Sequence, residues 1–287
     1  MTKIAVTGGS GKAGRAIVRD LFEQGHEVLN IDQVPSPESY HPEAPIPFLR
    51  ADITDFGQAL ESLSGGDTLP GIEAVVHLAA IPSPAHATAD QVFRTNVTST
   101  HAVFSAARRL GLHRIVWASS ETTLGTPFPQ PPDYTPVDEL HPLRPESSYA
   151  LSKVLGEEMA RQFSRWSGIP FVGLRLSNVM ERADYAEFPS YWDDARIRSW
   201  NLWSYVDESH AAQSVRCALD ADVQGAQAFI IAAPDTVMRR PSRELMAEVY
   251  PGVPVADQVA EHGTLLGIEA ARRVLGYDPQ FSWRELF

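Results

Sequence analysis

Short apolar runs of strand-type residues alternate with longer stretches of helical periodicity along the first two-thirds of the chain. The apolar runs are KIAV (3–6), EVLNI (27–31), PFLRA (47–51), AVVHLA (74–79), RIVWAS (114–119) and FVGLRLS (171–177). Each predicts a strand. The stretches between them predict helices near 12–24, 55–64, 89–110 and 148–167. Strands that are apolar almost throughout, separated by helices, require a parallel sheet covered on both faces. The expected fold class is therefore α/β, a doubly wound parallel sheet with right-handed crossovers.

Proline marks the long connections. The segments VPSPESYHPEAPIP (34–47) and TPFPQPPDYTPVDELHPLRP (126–145) can continue neither a helix nor a central strand, and the second is placed to form one wall of a cleft. Beyond residue 178 the alternation loosens into the aromatic segment YAEFPSYWDDARIRSWNLWSYVDESH, a helix, an AFIIAA strand and short terminal helices. The expected division is a main domain over 1–177 and a small C-terminal lobe over 178–287, with some of its segments returning to the main sheet. No internal repeat is visible.

Composition narrows the function. The chain has 287 residues, 44% hydrophobic and 21% charged, and a formal net charge of -12. That balance fits a globular protein and lacks the basic footprint needed for nucleic acid or an acidic membrane. Cys217 is the only cysteine, so no internal disulfide can form, and a reducing cytoplasmic setting is expected. No apolar stretch approaches the ~20 residues of a membrane span, and nothing at the N-terminus reads as a signal peptide. The nine histidines show no ligand spacing, so no metal is expected.

The stretch KIAVTGGSGKAGRAIVRDLFEQGHEVLNID sets Gly8, Gly11 and Gly14 between a strand and a helix, and ends the next strand on Asp32. Gly8 permits a tight turn, Gly11 lets a pyrophosphate approach the backbone at the helix N-terminus, and Gly14 permits close helix–strand packing. Lys12 and Ala13 complete the turn and are assigned to the cofactor with it. Asp32 is placed to accept hydrogen bonds from an adenosine ribose, and its charge disfavours a 2'-phosphate. The cofactor expected is NAD. A nucleoside-triphosphate loop fails on Val6 and Ala13, which stand where that motif requires Gly and Ser or Thr.

The stretch SSYALSK (147–153) puts the Tyr149 phenol and the Lys153 ammonium one helical turn apart. An exposed pair at this spacing needs no function. As a catalytic pair it has a purpose: a phenol has a pKa of ~10, and acting as a base near neutrality requires lowering it by about 3, worth about 4 kcal/mol. A neighbouring ammonium and a positively charged nicotinamide ring both work in that direction. Leu155, Met159, Phe163 and Trp166 are expected to form a separate core-facing stripe, with Tyr149 and Lys153 beside it at the edge of a cleft.

With TGGSGKAG at 7–14, HLAA at 77–80, TNVTST at 95–100, ASSETTLG at 118–125, the Tyr149/Lys153 pair and LRLSNV at 174–179, the chain resembles the extended short-chain dehydrogenase/reductases, the NAD-dependent epimerase/dehydratase family. The likeness covers roughly residues 1–220, and in size and layout is nearest to uronate-dehydrogenase-like members. It implies a Rossmann-type fold binding NAD. It also implies adenine contacts from Asp52 and Ile53, and Leu78, Ala79 and Ala80 under the diphosphate and nicotinamide ribose. Asn96 is implied either as a cofactor ligand or as a tie between helix and sheet. Ser120, with Ser119 as alternative, would polarise the substrate oxygen, although Leu124 replaces the family's usual Tyr in the pair before Gly125. Tyr149 would take the proton, Lys153 would hold the ribose and lower the tyrosine pKa, and Ser177 and Asn178 would lie near nicotinamide and substrate.

Two local features bear on the fate of the product after hydride transfer. The family's dehydratases carry Asp-Glu after the catalytic hydroxyl, whereas here Ser120-Glu121-Thr122 supplies a carboxylate at the first place only. The segment after Asn178 is short for gripping a nucleotide sugar. The preferred reading is an NAD-dependent dehydrogenase of a small sugar, sugar acid or polyol, with Ser120, Glu121, Asn178 and Arg182 assigned to substrate. A sugar epimerase retaining NAD and a non-catalytic sensor of NAD state are the alternatives. Arg196 and Arg198 are further partners for a substrate carboxylate, although neighbouring acids make a neutral sugar comparable. Trp192, Trp200 and Trp203 either stack on a sugar or fill the lobe's core. By resemblance the chain forms a homodimer through helices 89–110 and 148–167.

Overall fold

In the computed structural model of the chain, residues 1–35, 40–41, 44–83 and 85–287 are described. The strands in chain order are β1 (Lys3–Thr7), β2 (Glu27–Asp32), β3 (Tyr40–His41), β4 (Ala44–Pro45), β5 (Phe48–Arg50), β6 (Ala74–His77), β7 (Arg114–Ser120), β8 (Phe171–Leu176), β9 (Val179–Met180), β10 (Val206–Asp207) and β11 (Ala226–Ile231). Seven of them form one sheet in the order β11-β8-β7-β6-β1-β2-β5. Every pairing in it is parallel. β3 pairs antiparallel with β4, inside the first proline-rich segment, of which residues 36–39 and 42–43 lie outside the described residues.

The helices are α1 (Lys12–Glu23), α2 (Phe56–Ser64), α3 (Ala89–Leu110), α4 (Ser148–Ser167), α5 (Glu208–Asp220), α6 (Ser242–Val249) and α7 (Glu269–Leu275). Because side chains alternate across a strand, each strand feeds two cores. Ile4, Val6, Val76, Val116 and Val172 join the cluster on the α1 and α5 side, while Ala5, Val75, Ile115, Trp117 and Phe171 join the cluster with Phe104 and Phe163 from α3 and α4. Both faces are thus dry, as the continuous apolar strands require.

The chain after residue 178 contributes to this main body as well as to a lobe. β11 extends the sheet beside β8, and α5 packs on α1. The rest, with Phe188, Trp203, Tyr205 and Trp283 fully or almost fully buried, is continuous with the core on the α1 side.

Helix α4 departs from expectation. Leu155 and Trp166 are exposed, and the buried face runs through Tyr149, Lys153, Gly156, Ala160 and Phe163. Gly156 is what allows it: a Cβ there would come within 3.0 Å of the Trp117 ring. Small residues bring the helix onto β7, so the tyrosine and lysine lie on the packed face itself rather than beside it.

Candidate functional site

The strand order reverses at β1, with β6 on one side and β2 on the other, and a crevice opens beyond the carboxyl ends of the strands. A cavity of about 1110 Å3 fills it, running from Asp32, Asp52 and Ile53 past Gly8, Gly11 and Gly14 to Ser120, Tyr149 and Lys153. Residues far apart in sequence meet there because each follows a strand end.

The turn after β1 is shaped for a close ligand. Gly8 has φ +74°, and a Cβ on it would sit 2.5 Å from the Ala79 backbone nitrogen. On Gly14 a Cβ would lie 2.2 Å from the Gly8 carbonyl oxygen, so α1 could not lie this close to the turn. Gly11 differs, since its missing Cβ would meet only the Gly8 oxygen at 3.3 Å. It is the N-cap of α1 and no side chain caps the helix, which leaves first-turn N–H groups directed at the cavity lined by Gly11, Lys12 and Ala13. This cradle fits a pyrophosphate. At the end of β2, Asp32 accepts from the Ser10 N–H at 3.0 Å and the Gln33 N–H at 2.7 Å, which fixes its carboxylate at the cavity wall.

Asp52 and Ile53 line the same end, with the Asp52 carboxylate accepting from the Thr54 N–H (3.0 Å) and hydroxyl (2.7 Å). Leu78, Ala79 and Ala80 leave the sheet after His77 and form the cavity floor. Asn96 does not line it. Its amide is occupied by Ile81, accepting from the N–H at 2.8 Å and donating to the carbonyl at 3.1 Å, and it also donates to Ser152 at 3.4 Å. These bonds tie α3 to the loop after β6.

At the inner end, Tyr149 and Ser120 are neighbours on the cavity wall, and the Ser120 hydroxyl favours the ionised phenol. Lys153 donates to the Ala118 carbonyl at 2.8 Å, with its nitrogen 5.6 Å from the centre of the Tyr149 ring. All three side chains are buried yet face the cavity. The Ser119 hydroxyl, the alternative to Ser120, donates to Glu157 at 2.7 Å and is committed there. Glu157 in turn forms a fork with Arg175 of β8, both bonds at 2.9 Å. This buried network locks α4 to the two strands beneath the site.

Burial pushes the Tyr149 phenol up to about 12, Glu121 pushes the same way, and the Ser120 hydroxyl opposes them. Burial also brings Lys153 down to about 8. In the chain without NAD, desolvation therefore dominates and the phenol stays protonated. His77, below Lys153, is held neutral by burial, down to about 3, and bonds Thr7 at 2.8 Å.

Glu121 is nearly inaccessible, and burial raises it to about 7. Ser177 donates to it at 2.6 Å and Asn201 at 3.1 Å. Asn178 lines the cavity near them. Arg182 does not: it is exposed and away from the cavity wall, because the lobe turns it outward at the start of the 3-10 segment Arg182–Tyr191. Arg196 is exposed toward Glu248, and Arg198 is buried between the Tyr191 and Trp200 rings. Of the three tryptophans only Trp200 reaches the cavity; Trp203 is fully buried and Trp192 stacks on Trp283.

Sequence reading missed Asn201, which lies 80 positions from Glu121 and carries no local signal. It also missed the contact between lobe and glycine turn, where Asp184 pairs with Lys12 at 2.5 Å and Glu181 with Arg15. Thr126 and Pro127 do line the cavity, as the second proline-rich segment suggested. Among the described residues no cluster of His, Cys, Asp or Glu could hold a metal, and no helix is long and apolar enough to cross a membrane.

Comparison with known proteins agrees with this architecture. The model of the NAD dependent epimerase/dehydratase family matches residues 4–198. NAD-dependent glucose-6-phosphate dehydrogenase of Haloferax volcanii is 26% identical over 288 residues, covering 96% of this chain and 92% of that protein. A Methanocaldococcus jannaschii protein named only provisionally as a UDP-glucose 4-epimerase is 34% identical over 184 residues, and the match spans 63% of this chain and 57% of that protein. A solved structure of a mutated uronate dehydrogenase superposes with a TM-score of 0.70 at 21% identity, covering 99% of this chain and 85% of that one, a likeness of fold.

Proposed function

This chain belongs to the NAD-dependent epimerase/dehydratase family, and we propose that it is a dehydrogenase moving hydride between NAD and a small sugar, sugar acid or polyol. The observation that carries the reading is the meeting of Ser120, Tyr149 and Lys153 at the inner end of the dinucleotide-shaped cavity. Bound NAD supplies the hydride acceptor for the oxidised carbon. Gly11, Lys12, Ala13 and Gly14 hold its pyrophosphate, Asp32 its adenosine ribose, and Asp52 and Ile53 its adenine. Leu78, Ala79, Ala80 and Ser177 flank the remainder.

In the oxidation direction Ser120 holds the substrate oxygen and the Tyr149 oxygen takes the hydroxyl proton. The resting phenol is protonated, so this role requires added positive charge in the cleft, which the oxidised cofactor brings. In reduction the same phenol, already protonated, is the donor. Lys153 keeps one N–H on Ala118 and has two left for ribose hydroxyls. The Asp184–Lys12 and Glu181–Arg15 pairs tie the lobe to the glycine turn.

An epimerase is the second reading, supported by the name of the M. jannaschii relative. It differs in outcome: cofactor survives purification and no net NADH appears. The test is a panel of aldoses, uronates and polyols with NAD, followed by NADH absorbance. Net NADH supports the dehydrogenase; substrate interconversion without it supports the epimerase.

The single cysteine supports a cytoplasmic setting. A homodimer through α3 and α4 is supported by Leu151, Leu155 and Trp166, which leave apolar surface exposed along α4.

A further inference from the structure

Resting on the dehydrogenase reading, we propose that the substrate is an uncharged polyhydroxy compound, a neutral sugar or polyol rather than a sugar acid, and that Glu121 is the residue that selects it. Glu121 follows Ser120 directly and faces the same end of the cavity as Ser177, Asn178 and Trp200. Its carboxylate is fixed by two donors from different parts of the fold, Ser177 at the end of β8 and Asn201 in the lobe. A group this well aimed, beside the atom that holds the substrate oxygen, accepts hydroxyl protons from a neighbouring carbon. It repels a carboxylate placed there.

The cations that would welcome an acid are spent elsewhere. Among the described residues lining the cavity, the Lys and Arg side chains are Lys12 and Lys153. Lys12 pairs with Asp184, and Lys153 donates to Ala118 against the Tyr149 ring. Arg198, the guanidinium whose charge acts on Glu121, donates to the Ser204 carbonyl at 2.9 Å between two aromatic rings and is outside the cavity lining. It balances the Glu121 charge only in part, and from outside the lining it cannot meet a ligand as a bidentate fork. Arg182 and Arg196 point to solvent.

Burial already raises Glu121 to about 7, so a second acid beside it is accommodated only by taking up a proton. A neutral hydroxyl has no such requirement. Substrate class is thereby set by one carboxylate and by the absence of an uncommitted cation among the described lining residues.

The test compares D-glucose and D-galactose with D-glucuronate and D-galacturonate, together with small polyols, by steady-state NADH formation at one pH. The expected result is a kcat/KM at least about tenfold higher for the neutral compounds, a difference of about 1.4 kcal/mol. Glu121→Gln, which keeps the side-chain shape, lowers turnover of the neutral compounds and shrinks the neutral-to-acid ratio about tenfold. Inhibition of the wild-type neutral reaction by the uronates gives the same ordering without relying on a variant. Turnover that favours a uronate, or a ratio unchanged by Glu121→Gln in a variant that still binds NAD, overturns this inference and leaves the dehydrogenase intact. NAD binding with no NADH from any compound overturns the dehydrogenase reading and this inference with it.

Discussion

The Lys153 ammonium lies 5.6 Å from the centre of the Tyr149 ring and gives one proton to the Ala118 carbonyl at 2.8 Å. This arrangement joins helix α4 to strand β7 at the point where both reach the cavity. Burial acts on the two groups in opposite directions, raising the phenol to about 12 and lowering the ammonium to about 8. Each is thereby pushed toward its neutral form. The pair is poised to change protonation when charge enters the cleft, which is the behaviour an acid–base catalyst requires.

Lys153 makes the first prediction, and its sign comes from its lowered pKa. The folded chain loses this proton at about 8 and the unfolded chain at 10.5, so the unfolded state binds more protons between those values. Burying the ammonium therefore costs stability below pH 8, and the cost fades as pH rises to 10.5. Lys153→Met is expected to melt above the wild type at pH 7, with the gap closing toward pH 10.5. Thermal unfolding against pH measures it; the same variant should lose at least ~100-fold in turnover.

Glu121 behaves in the opposite pH range. Its folded value is about 7 against an ordinary 4.5, so the folded state retains a proton that the unfolded state has lost. Its contribution is fully present below pH 4.5 and is lost as pH rises through 7. Glu121→Gln is expected to match the wild type in melting temperature near pH 4 and to exceed it above pH 7. Paired melting curves across that window decide it.

Gly14→Ala tests the turn. The added Cβ falls 2.2 Å from the Gly8 oxygen, and backbone on both sides must shift, at a typical overpacking cost of about 1–3 kcal/mol. The shift moves Gly11 and the first turn of α1. NAD affinity by calorimetry is expected to drop at least tenfold while the rest of the fold, judged by circular dichroism, persists.

Glu157 supports the site from below. It accepts from Ser119 and from two nitrogens of buried Arg175, so Glu157→Ala strands an uncompensated buried guanidinium. Loss of one partner of such a pair costs about 3–5 kcal/mol. Chemical denaturation is expected to show a loss of that size, and addition of Arg175→Leu to recover part of it.

Much of the fold was legible because strands buried on both faces declare themselves as apolar runs, and α3 and α4 carry capping residues and glycine stops. Helices expected at 89–110 and 148–167 span those residues. The glycine turn was readable for the same reason, since Gly8 and Gly14 are demanded by steric contacts that their spacing anticipates. The core-facing side of α4 was not, because Gly156 and Ala160 bury by being small rather than by being apolar and large. Nor was the raised phenol pKa, which depends on desolvation by residues throughout the fold. Contacts such as Asn201 with Glu121, and the outward turn of Arg182, depend on how the lobe folds back over the sheet, and sequence spacing does not encode that.

Proton transfer at Tyr149 is the step on which the proposed activity rests most directly. Replacement by phenylalanine removes one oxygen from a buried ring and leaves the glycine turn and Asp32 untouched. With NAD and a substrate that the wild type oxidises, Tyr149→Phe is expected to bind NAD as the wild type does and to form NADH at least ~100-fold more slowly. NADH formation by Tyr149→Phe at the wild-type rate would contradict the assignment.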